Sequence, residues 1–400
     1  MATSIEDAPR SRRGRVKPTA AEKSAERNAA TSTAAKKPAA ADDVVAIFQA
    51  AAHGTRVDGL PFFCEAGDAL TAGAVQLANV HSLSVAALGD TKQSAAVKAL
   101  LRRVVARDGI PTTEKKGIPV PPAAYHSEAR QRTVMRTDWS RSAAELALDW
   151  SQPEIRIEFC VGGRELLRGV MGIAVEVDGA PARPTTAWEE VCWESNVDVD
   201  YLELEIALGA HRLQRQFILT RRDGLLFVAD TVLLATRGKV RCELRLPVAG
   251  DVQWRPAAEM REGLLTNGKA KALVIPPTLP EWRSEKRGGE LEVDAGGVAL
   301  SQITGEAHGL HLPLMFVYDS RRAGRECTWR QLTVGEDMQI VAPDKAAAIR
   351  LQIGNEHWLA YRSLTERANR TFMGINLQTN FLLTRFTKSG ESEPLVEIDD

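Results

Sequence analysis

The groups best suited to moving protons or holding charge cluster between residues 125 and 168, in AYHSEARQRTVMRTDWSRSAAELALDWSQPEIRIEFCVGGRELLRG. Tyr125 and His126 are adjacent, Arg136 and Arg156 follow, and Tyr201 lies further on. A phenol and an imidazole can take a proton from carbon and return one to a leaving oxygen. A guanidinium can neutralise the carboxylate beside that carbon. Together this is the chemistry of β-elimination from a uronic-acid glycan. Tyr125 or Tyr201 would serve as base or acid, His126 as base, and Arg136 or Arg156 as the carboxylate partner. The competing reading is a loop whose tyrosine packs on a β-sheet.

A second set could bind rather than react. Trp139, Trp150, Trp188 and Trp193 lie close together in the chain. Exposed indole faces stack on sugar rings, so Trp139 and Trp150, with Arg215 as the cation, are candidate binding residues; the alternative is that these rings form core. Trp188 and Trp193 are five apart, which places them on opposite faces of a regular strand. His308 and His311, in EAHGLHLPL, likewise point apart on a strand, which argues against a metal site. No GxxxxGK[ST], GxGxxG, HExxH or GxSxG motif occurs, so no cofactor and no metal are expected. Five scattered cysteines form neither a CxxC pair nor a dense disulfide framework, which fits free thiols in a reducing compartment.

Charge narrows the partners. Lys+Arg is 51 against Asp+Glu 52, a balance that disfavours a nucleic-acid-binding protein. Residues 1–40 nevertheless hold nine Lys/Arg against four Asp/Glu, so nucleic acid could be met only through this basic N-terminal tail. An acidic polysaccharide or a protein is the expected partner. No apolar run approaches the ~20 residues needed to span a bilayer, and the N-terminus lacks the apolar core of a secretory signal. A cytoplasmic protein with no membrane partner is therefore expected.

These residues need elements to position them. Residues 1–41 carry almost no large apolar side chain and read as disordered. Residues 42–112 read as a small helical segment: Asp42 and Asp43 can cap Val44, Val45, Ile47 and Phe48, and Val97, Leu100, Leu101, Val104 and Val105 make one helical stripe. From about residue 120 the period changes to two. Ile155, Ile157, Phe159 and Val161 alternate with Arg156, Glu158 and Cys160; Leu202, Leu204, Ile206 and Leu208 alternate with Tyr201, Glu203 and Glu205. In each strand one set should face a core and the other an open face, with Arg156 and Glu158 exposed. Hairpin signals stand at Asp178-Gly179, Asp223-Gly224, Asn267-Gly268 and Gly288-Gly289. The expected architecture is mainly β: a large antiparallel sandwich over residues 120–390, preceded by the helical segment and the disordered tail. An acidic tail, 391–400, is expected to fray.

The motifs resemble the β-sandwich domain of heparinase II/III-like polysaccharide lyases. Val134-Met135-Arg136-Thr137-Asp138-Trp139 is similar to the family's "vmR.dW" strand, and Leu146-Ala147-Leu148 to the strand after it. Gly162-Gly163-Arg164-Glu165-Leu166-Leu167 resembles "GGrpLL". Residues 211–232 resemble a hairpin in which Arg215 and Asp230 occupy the arginine and aspartate positions. The resemblance implies a supersandwich-like fold and elimination chemistry. It also implies a histidine-rich H-x-H-x-D loop, where this chain has Ser151-Gln152-Pro153-Glu154-Ile155-Arg156, without histidine. The family's large helical toroid is matched by only about 70 residues. The expected function is therefore a divergent heparinase-like sandwich acting as a non-catalytic binding or assembly module, carbohydrate-related. The alternative is an active polysaccharide lyase. Convergence of the candidate residues in an open cleft favours the enzyme, and dispersal favours the module.

Overall fold

The computed structural model describes residues 122–399 apart from 286–287 and 387–389, together with His53, Gly54, Arg56–Asp58, Leu60, Phe62 and Phe63. The expectations for residues 1–41, and for the proposed helices of 42–112, lie outside the described residues.

Alternating apolar residues and two-residue turns produce four antiparallel sheets. The first is a meander in chain order: β1 (Tyr125–Ser127), β2 (Arg132–Arg136), β3 (Ala144–Asp149), β4 (Ile155–Val161) and β5 (Arg164–Met171), with one 3-10 turn at Glu128–Arg130. Gly162 and Gly163 close the β4–β5 hairpin at φ 57° and 71°, a mirror-image turn that only glycine adopts without strain. The central sheet has eleven strands, β6–β16, within residues 174–317. The third sheet joins β17 (Cys327–Leu332), β20 (Ala346–Ile353), β21 (Glu356–Ser363), β24 (Phe381–Phe386) and β25 (Ser392–Ile398). A small four-stranded sheet holds β18 (Val334–Glu336), β19 (Gln339–Val341), β22 (Arg370–Phe372) and β23 (Ile375–Leu377).

The sheets stack as layers, because the central one is apolar on both faces. On β9 (Val199–Leu208), Leu202, Leu204, Ile206 and Leu208 enter a core shared with Leu146, Leu148, Ile157 and Phe159 of the first sheet. On the opposite face Val199 and Tyr201 enter a second core with Trp329, Trp358 and Phe381 of the third sheet. A third cluster, including Val334, Ala348, Tyr361 and Phe372, seals the small sheet onto the third. Each such side chain contributes roughly 1.5–3 kcal/mol when fully withdrawn from water.

This layering corrects several expectations. Tyr201 and Glu203 are buried rather than on an open face, because the third sheet covers them. Glu158 is buried as well, although Arg156 beside it is exposed, because the described residues between His53 and Phe63, the 53–63 segment below, lie over that face of β4. The acidic C-terminal stretch does not fray: β25 pairs with β24 and buries Leu395, Val396 and Ile398. Asp178-Gly179 and Asn267-Gly268 stand at hairpin turns and Asp223-Gly224 joins two paired strands. Gly288-Gly289 instead enters β15 (Gly289–Asp294), where a side chain at Gly289 would lie 2.5 Å from the Ser301 carbonyl oxygen.

Candidate functional site

Adjacent residues of a strand point to opposite faces, and this separates Tyr125 from His126. Tyr125 pairs with Val134 and faces away from the main core, whereas His126 pairs with Thr133. The Tyr125 ring packs against Phe62, Val134 and Ala147 and stacks on His53 at 5.1 Å.

Arg136 lies on the same outer face as Tyr125, yet it is closed off. Its Nε donates to Glu145 Oε1 at 2.8 Å, its Nη2 to the His53 carbonyl at 2.9 Å, and its guanidinium lies 4.4 Å from the Trp139 ring centroid. Burial pushes the Arg136 guanidinium down and the Glu145 carboxyl up, and burial with the Arg136 charge holds the His53 imidazole at about 3. Arg156 donates to the Phe63 carbonyl at 2.9 Å and rests on the Phe63 ring. Between them, Arg56 donates to Glu158 at 2.9 Å, to Asp58 at 2.6 Å, to the Gly163 carbonyl at 3.0 Å and to Glu165. The backbone N–H groups of Val57 and Phe63 donate to Glu145 and Glu158. These charges therefore fasten the 53–63 segment to the first sheet.

Tyr201 is elsewhere, in the second core. Its hydroxyl donates to Glu203 and accepts from Gln216 Nε2 at 2.8 Å, while Arg362 donates to Glu203 Oε2 at 3.1 Å. Burial first, and then the Glu203 charge, push this phenol well above its ordinary range. Arg215 is also fully buried: Nε and Nη2 donate to Asp230 at 2.6 and 2.8 Å, and Nη2 also reaches the Gly172 carbonyl at 3.0 Å. Arg215 and Asp230 sit directly opposite each other on β10 (His211–Thr220) and β11 (Leu225–Leu246), so the pair braces the central sheet. Trp150 is core, and Trp139 is half-buried under Arg136.

His126 lines a groove. Its Nδ1 lies 2.9 Å from Thr133 Oγ1 and its Nε2 2.7 Å from Glu190 Oε2. The imidazole is sandwiched between Trp193 at 4.6 Å and Trp150 at 5.8 Å, both within 13° of parallel. The groove, about 510 Å³, is bounded by residues 122–124, His126, Trp193, Ser195, Asn196, Val197 and Arg221. Arg221 Nη2 donates to Asp200 Oδ1 at 2.6 Å and to Ser195 Oγ at 3.1 Å; burial raises the Asp200 carboxyl. Asn196 accepts from the Asp198 and Val199 amides at 2.8 and 2.9 Å and donates to the Leu395 carbonyl at 3.1 Å, which fixes the hairpin forming one wall. The groove thus presents the edge of the Trp193 indole and of the Arg221 guanidinium.

Sequence reasoning missed Glu190, Ser195, Asn196 and Arg221. The available signal was weak: Asn196 is a turn former between two β runs. It also misplaced Trp188 against Trp193. A bulge between Glu190 and Cys192 shifts the alternation, and both indoles pack on the first core. His311 is buried, 2.8 Å from Thr231 Oγ1, and burial with Arg362 lowers it to about 3. No cluster of three or more His, Cys, Asp or Glu suited to a metal ion occurs among the described residues. None of the helices among them is long and apolar enough to cross a membrane.

No family model matches the chain, and no curated protein matches it. Solved structures do. A mutant of the heparan sulfate lyase HepC from Pedobacter heparinus aligns with TM-score 0.53 and 12% identity over 80% of this chain and 52% of that one. A heparinase III structure aligns with TM-score 0.53 and 8% identity over 80% and 54%. A second heparinase III, the BT4657 gene product, gives 0.51 and 11% over 78% and 51%. The chain spans about half the length of these proteins. At such identities the likeness is one of fold, and this chain has a fold distantly related to that of heparinase III.

Proposed function

We propose that this protein is a non-catalytic, heparinase-like sandwich module that binds an acidic glycan through the groove at His126. The observation that carries the reading is the dispersal of the five elimination candidates. Tyr125, Arg136 and Arg156 lie under or against the 53–63 segment, His126 points to the other face of the first sheet, and Tyr201 is sealed in a different core. Eliminative cleavage needs base, acid and carboxylate partner around one sugar, within hydrogen-bond reach. The groove instead supports binding: the half-buried Trp193 indole, backed by His126, lines it, and Arg221 supplies a cation for a carboxylate or sulfate. The test is ultraviolet absorbance of the unsaturated uronate product on heparin, heparan sulfate, alginate and chondroitin sulfate. No rise is expected, while Arg221→Ala should weaken retention on the bound glycan. A steady rise that disappears in Tyr125→Phe or His126→Ala protein would restore the enzyme.

A further inference from the structure

The loop between β14 (Ala270–Ile275) and β15 stands beside β17, an edge strand of the third sheet. Between loop and strand runs a cleft of about 290 Å³, lined by Glu281, Trp282, Glu285, Trp329, Arg330 and Gln331 among others. We propose that this cleft is a binding site for a neutral sugar residue of a glycan chain. It is separate from the groove at His126 and does not depend on the function proposed for that groove.

Trp282 carries the argument first. It is 45% exposed, yet the loop that presents it is tightly held. The buried Trp329 donates its indole N–H to the Leu279 carbonyl at 2.8 Å and its backbone N–H to Glu281 Oε1 at 2.5 Å. Gln331 Nε2 donates to the Thr278 carbonyl at 2.9 Å. From the other side Arg261 N donates to the Glu281 carbonyl, and Arg283 donates through N to the Glu259 carbonyl and through Nε to the Met260 carbonyl. An exposed indole on a braced loop loses little conformational freedom when a ligand arrives, which is what a stacking platform requires.

The polar lining selects the class of ligand. Glu281 and Glu285 offer carboxylate acceptors, and Arg330 is a donor. A sugar ring offers an apolar C–H face for the indole and hydroxyls that both donate and accept around its rim. Among the described lining residues two carboxylates stand against one guanidinium, which favours a neutral ring over a uronate or sulfated one. The volume is close to the lower end of small-molecule sites, roughly 300 Å³.

The experiment is titration of the full chain, by intrinsic fluorescence and calorimetry, with neutral β-1,4-glucan, α-1,4-glucan, mannan and xylan oligosaccharides and with a heparan sulfate oligosaccharide. At least one neutral series should bind saturably with Kd of about 1 mM or tighter. Trp282→Ala should weaken it by at least about tenfold, a loss of about 1.4 kcal/mol, and Trp282→Phe should restore part of the affinity. Because Trp282 is exposed, both variants should keep the wild-type thermal midpoint, and Arg330→Ala provides a second variant outside the core. The proposal is overturned if no neutral oligosaccharide binds. It is equally overturned if binding survives Trp282→Ala, or if heparan sulfate is the ligand lost in that variant. A positive ultraviolet lyase assay would leave this result untouched.

Discussion

Replacing Arg56 with methionine should unfasten the 53–63 segment from the first sheet. Arg56 is 3% exposed and Glu158 is fully buried, and their charges meet at 2.9 Å. Methionine keeps much of the side-chain volume but leaves the Glu158 carboxylate with the Phe63 N–H at 2.8 Å and the weak Cys160 thiol donor at 3.9 Å. Removing one partner of a buried pair strands the other charge and costs about 3–5 kcal/mol. For a domain above 200 residues that corresponds to a fall in thermal midpoint of roughly 6–10 °C, at roughly 2 °C per kcal/mol. The decisive comparison is the double variant Arg56→Met with Glu158→Gln. The neutral amide can still accept from Phe63 N–H, so most of the loss should return. Arg156→Ala, whose guanidinium is exposed and among the described residues contacts the Phe63 ring and carbonyl, should cost about 0.5–1 kcal/mol. Scanning calorimetry measures all three. An Arg56→Met midpoint equal to wild type, or a double variant worse than the single, would refute the reasoning.

Phe159→Ala should cost about 3–5 kcal/mol by chemical denaturation, because the ring is fully buried between the first two sheets. Deleting residues 1–41 should leave the thermal midpoint unchanged, whereas deleting 1–63 should lower it by at least as much as Arg56→Met, since that deletion also removes the partners of Glu145 and Arg136. Stability should also fall on acidification. His53 and His311 are held near 3, against an ordinary 6.5, so below pH 6.5 the unfolded chain takes up protons that the folded chain refuses. Their contribution is intact above pH 6.5 and is lost progressively down to about pH 3, at up to about 1.4 kcal/mol per pH unit for each group. His311→Gln should remove about half of that slope in midpoint-versus-pH measurements, and an unchanged slope would show that other groups dominate.

Much of the fold was legible in the chain because it is written locally. Period-two alternation located β4 and β9, and paired glycines located the β4–β5 turn, since a strand's facing and a turn's φ depend on neighbours one or two residues away. The same locality explains the errors. An alternating strand shows that one face is apolar; it does not show whether another layer covers the polar face. Glu158, Tyr201 and Glu203 read as solvent-facing from their own strands, and each is buried by chain far away in sequence: Arg56 lies 102 residues from Glu158, and Arg362 lies 159 from Glu203. The candidate site divided in the same way. The residue types for an elimination were present near residue 125, but strand geometry turned Tyr125 and His126 apart, and the docked segment tied up both arginines. The groove at His126 was assembled from Trp193 and Ser195 of one strand, the turn residue Asn196 and the distant Arg221, which no single strand's alternation joins to His126. Pattern and turn chemistry thus specified the β architecture by themselves, because they act through the nearest covalent neighbours. Which charges were buried, and which side chains met, was decided only when separate sheets and the 53–63 segment came together, since a carboxylate's environment is set by what packs over it.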